Sequence, residues 1–127
     1  MPTQLTFDDT CARLLAAVPA LAKGAFAPAD DLGLREVPGW IREFGALRDG
    51  ASLWLWLDGA PGLRTRGSEP AMGQAVIDVP EGRYRIDTYD VDARAWVSRE
   101  SALAAPLVIG VPHRAGAVLV RIRLQAD

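Results

Sequence analysis

Apolar side chains recur at every second position in three segments of the chain: Gln74–Val79, Arg83–Asp90 and Ala117–Leu124. Successive side chains of a β-strand point to opposite faces, so this alternation predicts strands with one buried face. Two shorter strands are predicted at Ala95–Arg99 and Leu107–Val111. Gly, Pro and Asp separate the segments without any βαβ alternation, which is typical of an antiparallel sandwich or barrel. We predict a mainly β fold, an antiparallel two-sheet β-sandwich with an N-terminal amphipathic helix.

A hairpin is predicted earlier in the chain, with arms at about Ile41–Leu47 and Ala51–Leu57. Asp49-Gly50 between the arms is a strong turn signal, because glycine tolerates the positive φ of a tight hairpin turn. A short helix over Trp40–Phe44, shortly after Pro38, is the alternative for part of the first arm.

The second arm of this hairpin is apolar on both faces. Trp54 and Trp56 point to one side, whereas Leu53, Leu55 and Leu57 point to the other. This pattern predicts a central strand whose leucine face meets the opposite sheet. The tryptophan face needs another cover, and a helix, a partner chain and a ligand are the candidates; we favour the N-terminal helix.

That helix is predicted over residues 7–22, where apolar residues recur at spacings of three and four. Thr6 followed by Asp9 is a capping signature at its start. Pro19 lacks a backbone N–H, so the helix is expected to kink or end near Val18. The segment Lys23–Pro38 is rich in Gly, Pro and Asp and is predicted to form loops and short turns.

The length of 127 residues fits one domain, with residues 1–38 packing on the sandwich of residues 40–124. Fourteen Lys and Arg stand against 16 Asp and Glu, so no excess positive charge favours nucleic acid, and pairs such as Arg64 and Arg66 are common on solvated surfaces. No apolar run reaches membrane-spanning length, and the residues before Leu14–Ala22 lack the basic start of a signal peptide. We expect a cytoplasmic protein without nucleic-acid or membrane partners.

Few residues support catalysis or metal binding. His113 is the single histidine and Cys11 the single cysteine, which excludes a His/Cys-rich zinc site within one chain. Asp87, Asp90 and Asp92 could supply oxygens to calcium, but their spacing is not that of an EF-hand, and aspartates at a hairpin more often bond their own backbone. We predict no cofactor, no metal and no catalytic residue, while a small hydrolase with a carboxylate site stays an alternative.

The tryptophans are the candidate binding residues, because indole rings stack on flat ligands such as sugars. The set consists of Trp40, Trp54, Trp56 and Trp96. A half-buried tryptophan in a sandwich core is the commoner outcome for each of them.

The order of several segments resembles the β-sandwich domain that follows the (β/α)8 barrel in bacterial glycoside hydrolases. The segments that carry the resemblance are Ala46–Asp58, Pro80–Asp90, Ala95–Arg99 and Val118–Leu124. In that family a D-G hairpin leads into a Trp-containing strand, and a G-x-Y-x-hydrophobic-x-x-x-D strand follows later. The residues at the matching positions of the later strands are Gly82, Tyr84, Ile86, Asp90 and Trp96.

The resemblance extends from near Trp40 to Leu124. It does not include the barrel that carries the family's catalytic acids, so it implies an accessory module. We therefore predict a non-enzymatic accessory or protein-interaction module, with a carbohydrate-binding module as the alternative. Surplus apolar surface on a sandwich favours self-association, so we expect a homodimer or a partner protein domain.

Overall fold

The computed structural model describes residues 2–19, 26–29, 33–50, 52–59, 72–104, 106–112 and 116–125. Within these ranges the chain forms one α-helix, α1 (Phe7–Ala17), and ten strands. The strands are β1 (Thr3–Gln4), β2 (Ala27–Pro28), β3 (Gly33–Glu36), β4 (Ile41–Asp49), β5 (Ser52–Gly59), β6 (Met72–Asp78), β7 (Gly82–Asp90), β8 (Ala95–Ala104), β9 (Leu107–Pro112) and β10 (Ala117–Leu124).

The strands form two sheets. The large sheet has the order β1-β4-β5-β10-β7-β8, with β2 also paired to β4, and the small sheet has the order β3-β6-β9. All pairs are antiparallel except the short β1–β4 pair. The predicted fold class, an antiparallel two-sheet arrangement with an N-terminal helix, is confirmed.

The main core lies between the two sheets, where the alternating apolar faces of both meet. Strand β5 contributes its leucine face to this core, as predicted, and β10 contributes Val118, Val120 and Ile122. The small sheet contributes Ile77 and Ile109 to the same core, and both are fully buried. Burial of these side chains is the main source of stability, at roughly 25 cal/mol for each Å² of apolar surface.

Helix α1 covers the opposite face of the large sheet, which we call the outer face. Leu14 and Val18 pack there with Trp54, Trp56 and Leu119 in a second buried cluster. The indoles of β5 therefore meet the N-terminal helix, which is the cover favoured from the sequence. Strand β5 lies between β4 and β10, so its predicted central position is also confirmed.

The ends of α1 follow the local sequence signals. The side chain of Thr6 accepts a hydrogen bond from the backbone N–H of Asp9, which caps the first turn. The helix ends at Ala17 with Val18 as its C-cap, because Pro19 cannot continue the backbone hydrogen-bond pattern. It is thus shorter than the predicted range 7–22.

The hairpin of β4 and β5 turns at Asp49-Gly50, and Gly50 has a φ of +58°, in the left-handed region. The alternative of a short helix over Trp40–Phe44 is wrong, because β4 begins at Ile41 and pairs with β5 along its length.

Several strands differ from the sequence predictions, among them the short β1, which was not predicted. Part of the predicted loop Lys23–Pro38 forms β2 and β3, which are too short to show periodicity and are held by pairing with β4 and β6. Strand β8 continues past Arg99 to Ala104, because it pairs with β7 as far as Gly82. Arg64, Arg66 and His113 lie outside the described residues, as do residues 20–25 and 30–32 of the predicted helix end and loop.

No helix formed by the described residues combines the length and the apolar character needed to span a membrane.

Candidate functional site

The four candidate tryptophans do not form one binding platform. Trp54 and Trp56 are buried beneath α1, at 5% and 4% exposure, so their ring faces are not displayed. Trp40 packs against the core between the sheets. Trp96 on β8 is 41% exposed, which makes it the most exposed of the four.

A row of paired polar side chains crosses the outer face from Trp54 on β5 to β8, the strand that carries Trp96. Strand pairing places Trp54 opposite Arg121, Arg121 opposite Asp87, and Asp87 opposite Arg99. Directly paired residues share one face of a sheet, so these side chains lie side by side.

Four arginines donate to the single carboxylate of Asp87. Its Oδ2 accepts from Nη2 of Arg121 at 3.0 Å and from Nη2 of Arg123 at 3.2 Å. Its Oδ1 accepts from Nε of Arg99 at 3.3 Å and from Nε of Arg85 at 3.4 Å. We call these five residues the arginine cluster.

Asp87 stays ionised in this setting. Asp87 is only 3% exposed, and burial alone would raise the pKa of its carboxyl group. The hydrogen bonds and positive charges of Arg121 and Arg85 outweigh that effect and hold the pKa below its ordinary value. Asp87 is therefore a permanent counter-ion for the arginines.

The arginine cluster carries more positive charge than Asp87 can neutralise. Four guanidinium groups and one carboxylate leave a net charge of three positive units. The buried Nε atoms of Arg121 and Arg123 have no hydrogen-bond acceptor among the described residues. Within the part of the chain that the structure describes, the cluster thus has fewer negative charges and acceptors than its arginines could use, although the whole chain has a net charge of −2.

Aromatic rings hold the central arginine in place. The guanidinium carbon of Arg121 lies 5.6 Å from the ring centroid of Trp54 and 4.7 Å from that of Trp96, both within cation–π range. Trp96 in turn makes an edge-to-face contact with Tyr89, with ring centroids 5.2 Å apart. The guanidinium is therefore positioned before any ligand arrives.

A cavity of about 340 Å³ opens beside this arrangement. Its lining consists of Asp87, Trp96, Val97, Ser98, Arg99 and Arg121. The side chain of Arg99 is 70% exposed, so its guanidinium group is accessible to solvent. The site offers guanidinium donors, one hydroxyl and one indole side chain, which suits an anionic group.

Two of the three aspartates considered as calcium ligands make other contacts in this structure. The carboxylate of Asp87 accepts hydrogen bonds from four arginines. Oδ1 of Asp90 accepts a hydrogen bond from the backbone N–H of Ala93, which is the turn role expected for a hairpin aspartate. Among the described residues, no group of three or more His, Cys, Asp or Glu side chains could hold a metal ion.

A pair of carboxyl groups lies near α1, where Glu43 and Asp58 are paired across β4 and β5. Burial raises the pKa of Asp58, outweighing the lowering effect of Arg42, and Glu43 adds to the increase. The hydrogen bond from Arg13 lowers the pKa of Glu43, against the opposing effect of burial. Glu43 is therefore the more readily ionised member of the pair, and it ties helix α1 to β4 through Arg13, at 3.1 Å.

We expect the Arg13–Glu43 contact to stabilise the protein at neutral pH and to lose this contribution in acid. The folded protein lowers the pKa of Glu43, so the contribution is complete above the unfolded value of about 4.3 and disappears as pH falls through the folded pKa. Urea unfolding of wild type and Glu43→Gln should give free energies that converge as pH falls. Glu81→Gln, at an exposed turn position, serves as the control; a pH-independent difference for Glu43→Gln would contradict the prediction.

The arginines of the cluster are functional candidates that sequence reasoning did not single out. Alternation already places Arg121 and Arg123 together on one face of β10, and Arg85 with Asp87 on one face of β7. The missing information was that β10, β7 and β8 are neighbours.

The fold and site thus define a two-sheet β-sandwich that carries a helix and a cavity beside the arginine cluster on the outer face of its large sheet. Scanning against models of known protein families gave no match, and comparisons with curated proteins and with solved structures gave none either.

Proposed function

We propose that this chain is a non-enzymatic binding module that recognises an anionic group of its partner at the arginine cluster. The observation that carries the proposal is the ratio of four arginines to one buried carboxylate beside an open cavity. Grouping like charges costs energy unless negative charge or solvent compensates them. Asp87 compensates one of the four charges, and solvent reaches Arg99, at 70% exposure, far more than Arg121, at 24%. An anionic ligand would supply the remaining charge.

The chemistry of the cavity supports binding rather than catalysis. Asp87 is the one carboxylate among the described lining residues, and its two oxygens already accept four hydrogen bonds. A general base needs a free lone pair directed at the proton it removes. The carboxylate of Asp87 is better suited to orienting the arginines.

The resemblance to sandwich domains of glycoside hydrolases is an independent reason to propose an accessory role. Such a module would place the outer face of its large sheet against a partner domain or a bound polymer. The helix already covers Trp54 and Trp56, so Trp96 and the arginine cluster are the part of that face left for recognition.

A carbohydrate-binding module is the second candidate, and the exposure of Trp96 favours it. An indole stacks on a sugar ring, while Arg99 and Arg121 beside it would select sugars that carry carboxylate or sulfate groups. Neutral glucans would then bind more weakly than acidic polysaccharides such as polygalacturonate.

We expect Arg99→Ala to weaken binding of polyanions by about tenfold, which corresponds to one charge-assisted contact of about 1.4 kcal/mol. Polyaspartate and polygalacturonate, titrated at low salt with tryptophan emission as the readout, separate a protein-like from a sugar-like partner. Arg35→Ala is the matched control, because Arg35 is also exposed and bonds a single aspartate, Asp78, away from the cavity.

The expected pattern is binding that weakens with added salt and with Arg99→Ala, and that is unchanged by Arg35→Ala. Absence of binding to either polymer at low salt, or equal losses in the two variants, would overturn the proposed function.

A further inference from the structure

Strand β8 is a long free edge of the large sheet. It spans ten residues and pairs with β7, and no other described strand pairs with it. Its side chains from Ala95 to Ser101 are exposed, including the apolar Trp96 and Val97. An exposed edge presents unpaired backbone N–H and C=O groups that can accept another strand.

The edge and the arginine cluster form one surface. Arg99 belongs to both, since its backbone lies in β8 and its side chain donates to Asp87. An added strand would lie about 4.8 Å from β8, with the side chain opposite Arg99 about 5 Å away at its Cβ atom. A carboxylate at that position would meet the guanidinium groups at the cavity.

We propose that the β8 edge takes up an extended acidic segment of a partner protein as an additional strand. This proposal rests on the proposed anion recognition and specifies its ligand. Backbone hydrogen bonds to β8 would supply affinity, and acidic side chains on the outer face would pair with the arginine cluster. The residues between these acidic positions would lie on the opposite face of the sheet, the face on which Glu100 of β8 lies. A neutral residue there avoids repulsion from Glu100, so the proposed segment alternates acidic and neutral residues.

A second copy of this chain fits the edge less well than a different sequence. Antiparallel pairing of β8 with itself about its centre places Arg99 opposite Arg99 or Glu100 opposite Glu100. Like charges directly opposite each other destabilise a strand pair.

The test uses a short synthetic peptide that alternates threonine and glutamate, capped at both ends. In an added strand, alternate residues direct their N–H and C=O groups toward β8, and the others direct them away. One version of the peptide is therefore N-methylated at every threonine and another at every glutamate, with charge unchanged. A threonine–lysine peptide is the charge control.

We expect the unmodified acidic peptide to bind, with one N-methylated version weakened more than about tenfold and the other nearly unaffected. Arg99→Ala should weaken binding, and Arg35→Ala should not. The lysine peptide should not bind.

Equal binding of the two N-methylated versions would overturn strand addition while leaving anion recognition in place. Failure of the peptide and of both polyanions would overturn the proposed function as well. Sedimentation that shows a dimer which the acidic peptide dissociates would assign the edge to a second copy and overturn the proposed partner.

Discussion

Replacing Asp87 with alanine is expected to lower the free energy of unfolding by about 3 kcal/mol, since removing one member of a buried ion pair leaves its partners uncompensated. The substitution leaves four arginines without their shared acceptor, and two of them, Arg121 and Arg85, are largely buried. Mutual repulsion and lost hydrogen bonds act in the same direction. Urea unfolding followed by tryptophan emission measures the effect.

Asp78→Ala is the control for this experiment. Asp78 accepts from Arg35 at 2.6 Å, but both side chains are about half exposed, so the loss should stay below about 1 kcal/mol. Added phosphate should recover part of the stability of Asp87→Ala, because an anion that binds only the folded state shifts the equilibrium toward it. Equal losses in the two variants would contradict the role given to Asp87.

Replacing Gly45 with alanine is expected to displace helix α1 and cost about 2 kcal/mol, the cost of inserting a methyl group into a packed contact. A Cβ atom at Gly45 would collide with the side chain of Thr10, including Cγ2 at 2.8 Å. Thr10 is buried on α1, so the backbone of the helix has to move. Trp54 and Trp56 should then become accessible to acrylamide quenching.

A second substitution tests the cause. Thr10→Ala removes the Oγ1 and Cγ2 atoms nearest the new methyl group, so the double variant should be more stable than the sum of the single effects predicts. Gly39→Ala is the control, since nothing lies within 4 Å of a Cβ at that position. Unchanged quenching in Gly45→Ala would mean that the helix does not shield the indoles.

The main strands could be predicted because their signals are local. Period-two alternation predicts Ala117–Leu124 with its observed bounds, and the glycine of Asp49-Gly50 predicts the hairpin through its own backbone freedom. Thr6 caps the helix through a hydrogen bond to a residue three positions away. Each signal lies within a few residues of the structure that it predicts.

The arginine cluster has no such local signal. Arg121 lies 34 positions from Asp87 and Arg123 lies 36, and they meet only because β10 is inserted between β5 and β7. A polar residue on the outward face of a strand looks the same in the sequence whether it ends in solvent or beside a buried carboxylate. The burial of Asp87 and the exposure of Trp96 were therefore not predictable.

Local chemistry thus accounts for where strands, turns and the helix form, because backbone preference and side-chain alternation act between near neighbours. Strand order and helix packing decide the features on which the proposals depend: which arginines surround Asp87, which indoles the helix covers, and which edge stays unpaired among the described strands. Those outcomes depend on how whole faces of the sheets and the helix pack to bury their apolar surface. This packing joins residues that are far apart in the sequence, so the composition of one segment does not determine it.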